Sequence, residues 1–347
     1  MEKKDKQRIL YFDVLNILAC FCVIWLHCNG MVHNYSTSRA WATSLVVETI
    51  AYWAVPVFFM LTGATLMDYR KKYNTKTFFK KRVLKTVIPF FIWSIIIIIW
   101  KYSTNRLIID NFSLRTIWNI IISNKQETIY WFFWSLFSVY ISMPVLSLLT
   151  EEKHRKTLWY AAIVAIVFNN IPLISQIIKI QWNNTFNFSV VTGYVGYVIL
   201  GYLISTQNLN KSKRYIIYAM GIIAVLIRYL GTLYLSRRDG VVNKLFFNYL
   251  YFTAVFLALA IFVIVKNINI KKFIKTEKMV SFLSKISSCS FGIYLIHIIV
   301  MTYEIKIFNI NTTSWQWRTI GAICTYFVCL GIVYLIKKIP IIKKLVP

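Results

Sequence analysis

The chain has 347 residues, 58% of them hydrophobic and 17% aromatic, with a mean hydropathy of +0.59. Only 15% of its residues are charged. That excludes a soluble domain of ordinary composition, in which about half the residues are apolar and about a quarter charged. The formal net charge of +28 needs no nucleic-acid partner, because membrane topology and attraction to anionic lipid account for it.

Ten apolar segments lie near 10–30, 41–67, 84–101, 129–149, 158–175, 189–206, 215–235, 246–265, 286–303 and 317–336. Each is of the order needed to cross about 30 Å of hydrocarbon. They are continuously apolar rather than alternating with period two, which predicts helices and not barrel strands. The fold class expected is therefore an all-α polytopic membrane protein with about ten transmembrane helices. Most of the 40 lysines and arginines fall on one side if the N-terminal MEKKDKQR is cytoplasmic, which places both termini in the cytoplasm. The first apolar run is too long for a signal peptide, and no small-residue cleavage site follows it.

The first segment, YFDVLNILACFCVIWLH, carries Asp13, Asn16, Cys20 and His27. Their spacing puts them on one helical face, with His27 about 16 Å from Asn16 along the axis. Polar groups at membrane depth face a bundle interior or a wet cavity; a seam of helix–helix hydrogen bonds explains the stripe equally well. The second segment holds Glu48 and the third is preceded by the basic stretch DYRKKYNTKTFFKKRVLK. Between the third and fourth, NFSLRTIWNIIIS predicts an interfacial helix with Ile117, Ile120 and Ile121 on one side. The fifth segment is the weakest, interrupted by Asn169, Asn170 and Pro172. Arg228 lies in the seventh and His297 in the ninth. The six cysteines have no metal-ligand spacing with histidines, so buried packing is expected, with no metal and no disulfide. Trp131, Trp134, Trp315 and Trp317 fall at a membrane interface, where anchoring is their ordinary role. One domain over 1–347 is expected, with no soluble appendage.

Five motifs in order resemble the membrane acyltransferase-3 family, which includes polysaccharide O-acetyltransferases. Asp13, Asn16 and His27 match its acid, Arg and His at the same spacing, with Asn where the family has Arg. PVFFMLTGATLM is similar to its Pro–x–Phe–Phe–x–x–Ser/Thr–Gly segment. FFKKRVLKTVIP resembles its paired Arg before proline, as Arg82 and Lys85. YWFFWSLFSVYISMPVL and SFGIYLIH are similar to its Trp-rich and late Ser–x–Gly–x–Tyr–Leu–x–His segments. The resemblance covers nearly the whole chain.

That resemblance implies transfer of an acyl group, usually acetyl, from cytoplasmic acyl-CoA (acetyl-CoA) to a hydroxyl of a surface glycan or glycolipid. The setting it implies is a bacterial plasma membrane, with membrane lipids as neighbours. Such transfer needs a base for the hydroxyl proton and a donor for the developing oxyanion. His27, near the outer end of its helix, is the expected base. Glu48, at comparable depth, either holds that imidazole in one tautomer or pairs with Arg228. His297 either bonds a neighbouring helix or serves as a substrate contact or second acid–base group. Asp13, Asn16 and Arg228 join the expected substrate-binding set. Arg82 and Lys85, three apart and so on one helix side, are expected at the CoA phosphates, and are the nearest cations to replace the Arg absent at position 16. Two other functions fit the same residues: a polysaccharide exporter or flippase, and a non-catalytic component of a glycan-assembly complex.

Overall fold

In hydrocarbon a chain must satisfy its backbone polar groups within the segment, and runs of Ile, Leu, Val and Phe do so as helices. The computed structural model describes residues 9–183 and 185–347, and among these there is no strand. The helices are α1 (Leu10–Cys28), α2 (Arg39–Ala51), α3 (Ala54–Leu66), α4 (Thr75–Arg82), α5 (Ile88–Ser103), α6 (Leu114–Ile122), α7 (Trp131–Leu146), α8 (Arg155–Ile178), α9 (Val195–Thr206), α10 (Lys211–Asp239), α11 (Phe252–Asn267), α12 (Glu277–Ile307) and α13 (Ala322–Lys338). Side chains of Ser38, Asn74, Ser113, Asn210 and Thr276 cap five of them, each accepting from an amide that the first turn leaves unpaired. The basic residues 1–8, on which the orientation expectation leans, lie outside the described residues.

Eight helical stretches among the described residues are long and apolar enough to cross a membrane; the protein is an all-α, multi-pass membrane protein. The sixth and eighth expected segments differ. They form α9, of 12 residues, and α11, of 16. At 1.5 Å per residue, α9 extends only about 18 Å, short of a full span. The residues that lead into α11, 240–251, are turns and irregular backbone instead of helix.

Prolines explain one break and, contrary to expectation, not another. The second expected segment is split at Tyr52–Trp53 between α2 and α3. Pro56 lacks the amide that would bond Tyr52, and its ring crowds that carbonyl. Pro172, by contrast, does not end α8, which continues to Ile178. The Asn170 side chain ties this stretch to its neighbour: its Nδ2 donates to the Ile166 carbonyl at 2.7 Å, and its Oδ1 accepts from the Phe252 amide at the start of α11 at 2.8 Å. The interfacial helix is α6, with Ile120 and Ile121 buried.

α1 runs through the centre of the bundle, against α3, α12 and α13. α3 and α9 cross backbone against backbone at two glycines. A Cβ on Gly63 would meet the Val198 carbonyl oxygen at 1.9 Å, and one on Gly201 would meet that of Met60 at 2.0 Å. Without a hydrophobic force between helices in lipid, such small-residue contacts are how helices gain packing.

Candidate active site

The polar stripe of α1 meets α12 along its length. Asn16 Nδ2 donates to the main-chain oxygen of Ser287 at 2.8 Å and to its hydroxyl at 3.0 Å. One turn on, the Cys20 thiol donates to the Ser290 carbonyl at 3.6 Å. At the far end the His27 and His297 rings lie 5.2 Å apart, centroid to centroid. The helix–helix seam is therefore formed along this face. Beside this seam is a cavity of about 340 Å³ lined by Asp13, Asn16, Thr62, Arg82, Tyr140 and Ser287, with Ser290 and Tyr294 on the α12 side. Asp13 is buried in its wall.

Arg82 and Lys85 part company. Arg82 lines the cavity and its guanidinium lies 5.7 Å from the centre of the Tyr140 ring. Its Nε is buried without a hydrogen-bond partner among the described residues. Lys85 is exposed. The reason is a π turn over Val83–Val87: the wider turn rotates Lys85 away from the side that α-helical spacing would give it.

α12 carries the cavity toward the histidines. Ser290, Tyr294 and His297 are four and three residues apart and share a face. The Tyr294 hydroxyl donates to the Ile129 carbonyl at 2.6 Å. His297 is fully buried, and its Nδ1 lies 2.7 Å from the Tyr294 carbonyl oxygen. A carbonyl only accepts, so Nδ1 carries the hydrogen. In the neutral ring Nε2 then offers a lone pair, and among the described residues nothing bonds it. His27 is less enclosed than His297.

Glu48 stands with Arg228, the second of the two roles considered for it. Its carboxylate is 3.6 Å from Arg228 Nη2, with both side chains buried, so the His27–Glu48 pairing is not formed. The Arg228 guanidinium also donates to the Phe246 carbonyl and sits 3.3 Å from the centre of the Tyr52 ring. Above Tyr52 opens a second and larger cavity, of about 1250 Å³, walled by Tyr52, Trp131, Tyr194 and Tyr249 and by the loop after α10. Trp131 is thus a cavity residue and Trp317 is buried in the core, whereas Trp315 stays exposed as an anchor would. Outside the spans, burial and the Lys244 charge hold the His33 imidazole below its ordinary value, so it adds no positive charge to this mouth near neutral pH.

The sequence motifs single out Asp13, Asn16, Arg82, His27 and His297, and the structure brings these onto one track. They leave out Ser290 and Tyr294, although the spacing within SFGIYLIH holds the signal. They also leave out the Tyr52–Tyr249 wall, for which no local signal exists. Among the described residues no group of three or more His, Cys, Asp or Glu side chains is placed to hold a metal ion. A family model described as an acyltransferase domain matches residues 9–334. No curated protein and no solved structure matches the chain.

Proposed function

From the premise that this chain belongs to the membrane acyltransferase-3 family and is a membrane acyltransferase, we propose that it moves an acyl group, most simply acetyl, from cytoplasmic acyl-CoA to a hydroxyl of a cell-surface polysaccharide or lipid-linked sugar. The observation that carries this reading is the α1–α12 seam, with the Arg82-lined cavity at one end, Ser290 and Tyr294 along it, and the His297 and His27 rings paired at the other. A cavity of about 340 Å³ is at the small end of ligand sites. It suits the thioester arm of the donor and leaves the nucleotide at the mouth. The Arg82 guanidinium in the cavity wall fits a phosphate there.

His27 takes the proton of the acceptor hydroxyl as that oxygen attacks the thioester carbonyl. The tetrahedral intermediate collapses, the carbon–sulfur bond breaks, and the imidazolium returns the proton to the leaving thiolate. His297, its Nδ1 hydrogen held by the Tyr294 carbonyl, offers Nε2 beside His27 and biases which nitrogen of His27 is basic. Arg228 and Glu48 act at a distance, by fixing Tyr52. The test is transfer of labelled acyl groups from acyl-CoA to surface glycan by purified protein in nanodiscs. His27→Ala lowers the rate by about 10²- to 10⁴-fold, the usual share of a positioned acid–base group, with protein yield unchanged. Transfer at the wild-type rate would remove His27 from this role. Export of glycan that stops while acylation persists would favour the exporter reading.

A further inference from the structure

The larger cavity is built as a binding site. We propose that the cavity walled by Tyr52, Trp131, Tyr194 and Tyr249 binds the acceptor as an oligosaccharide segment of several sugars, laid against this aromatic wall. This rests on the function proposed above and adds the acceptor subsite to it.

Four observations support it. The first is size: about 1250 Å³ exceeds the roughly 300–1,000 Å³ of ordinary small-molecule sites, and so exceeds what a single sugar fills. The second is ring geometry. Tyr52 and Tyr249 stack at 4.1 Å and 12°, Trp131 lies 5.8 Å from Tyr249 at 25°, and Tyr194 lies 5.5 Å from Trp131. The rings pack on one another, with Arg228 over the second face of Tyr52, so the wall is a rigid aromatic bank with polar tips, which suits the apolar and hydroxyl edges of linked sugars. The third is backbone. Residues 240–251 are irregular, and a membrane protein keeps such backbone near the spans only where it is buried in protein or lines a watery space. That loop contributes Asn243, Lys244 and Asn248 to the lining. Arg238 is tied to Asp239 at 2.7 Å, so the mouth is not simply a basic anion trap.

The fourth is position. Trp131 adjoins Phe132, which lines the smaller cavity and packs 5.5 Å from the Tyr294 ring. The Tyr130 hydroxyl donates to the Leu295 carbonyl at 3.1 Å, which sets this end of α7 level with His297. Phe132 follows Trp131 directly in the chain, and the Tyr294 ring against which it packs lies 5.6 Å from the His297 ring. The buried Arg228–Glu48 pair holds Tyr52 from beneath; both are positioning residues for the wall.

The probe is a ladder of oligosaccharides of two to six sugars, released from the host cell-surface glycan by mild acid and deacylated with alkali. Binding to the full chain in nanodiscs is read by saturation-transfer NMR, and acyl-CoA binding is measured on the same samples. Affinity rises with length in the wild type. Trp131→Ala and Tyr249→Ala each weaken the longer oligosaccharides at least tenfold and flatten the ladder, while Trp131→Phe, which keeps a ring, recovers most of the affinity. Arg228→Met flattens the ladder less than Trp131→Ala. A ladder without length dependence, or one that Trp131→Ala and Tyr249→Ala leave intact, overturns the subsite. Should transfer from acyl-CoA proceed while the ladder fails, the subsite falls and the proposed function stands. Oligosaccharide binding at these rings with no acyl-CoA binding and no transfer keeps the subsite and removes the proposed function.

Discussion

At the scale of single residues, the donor end divides two cations that look equivalent in sequence. Arg82 points into the cavity and Lys85 does not. If Arg82 meets a phosphate, its loss removes a charge-assisted contact worth about 1.5–3 kcal/mol, or roughly a ten- to hundredfold rise in KM for acyl-CoA. Arg82→Lys keeps the charge and loses the fork, and recovers part of it. Lys85→Ala changes KM less than twofold. Steady-state kinetics with acyl-CoA varied checks all three, and equal effects at 82 and 85 would return the two to a diffuse basic surface. The face that Asn16 presents is legible in the sequence, since fixed helical spacing places it in line with His27. Its partner is not: the Ser287 contact joins residues 271 apart, and no local pattern encodes that. The same holds for His27 and His297, each of which stands out in its own helix while nothing local shows that they meet. Arg82 and Lys85 are separated by a π turn, and π turns leave no composition signal.

At the scale of elements, apolar runs mark where helices lie far better than how far each extends. Pro56 and Pro172 show why. Each removes one hydrogen bond, but two residues before Pro172 the Asn170 side chain fastens the helix to the start of α11. By composition the second segment is the stronger helix and the fifth the weaker, and the structure reverses that order. The α3–α9 crossing supplies the next prediction. Gly63 sits in the motif that also gives Thr62 to the smaller cavity, so the crossing sets that cavity's wall. Gly201→Ala drives a methyl group into the Met60 backbone, and neither helix has a flexible side chain there to yield. Overpacking of this kind costs about 3 kcal/mol at the upper end of its usual range. The expected result is a lower thermal midpoint of the purified protein and a rise in KM for acyl-CoA together. An unchanged midpoint in Gly201→Ala would mean that the helices are further apart than described. The aromatic positions 52 and 249 are illegible in sequence for a related reason: they lie at a helix break and in an irregular loop, where no periodicity operates.

At the scale of the whole molecule, the two cavities impose a direction. The smaller lies toward the start of α1, where Asp13 and Asn16 are; the larger lies beyond the level of His297, at the start of α7. A donor made inside the cell and an acceptor outside it require these mouths to face opposite compartments. On the orientation expected from the lysine and arginine bias, the Arg82 end faces the cytoplasm. Two lysines mark the ends: Lys85 beside the donor mouth and Lys244 on the rim of the aromatic cavity. Five of the six native cysteines are buried and Cys324 is exposed, so a Cys324→Ser background gives low labelling of its own. In intact cells a membrane-impermeant maleimide then labels Lys244→Cys and spares Lys85→Cys, and permeabilisation makes Lys85→Cys reactive. Labelling of both from outside, or of Lys85→Cys alone, would invert or abolish the two-sided arrangement and with it the need for a polar track across the bundle. The expected pattern leaves the His27–His297 pair as the proposed meeting place of a cytoplasmic thioester and an external hydroxyl, because Tyr294, which lines the smaller cavity, links His297 to Phe132, the neighbour of Trp131 in the larger one.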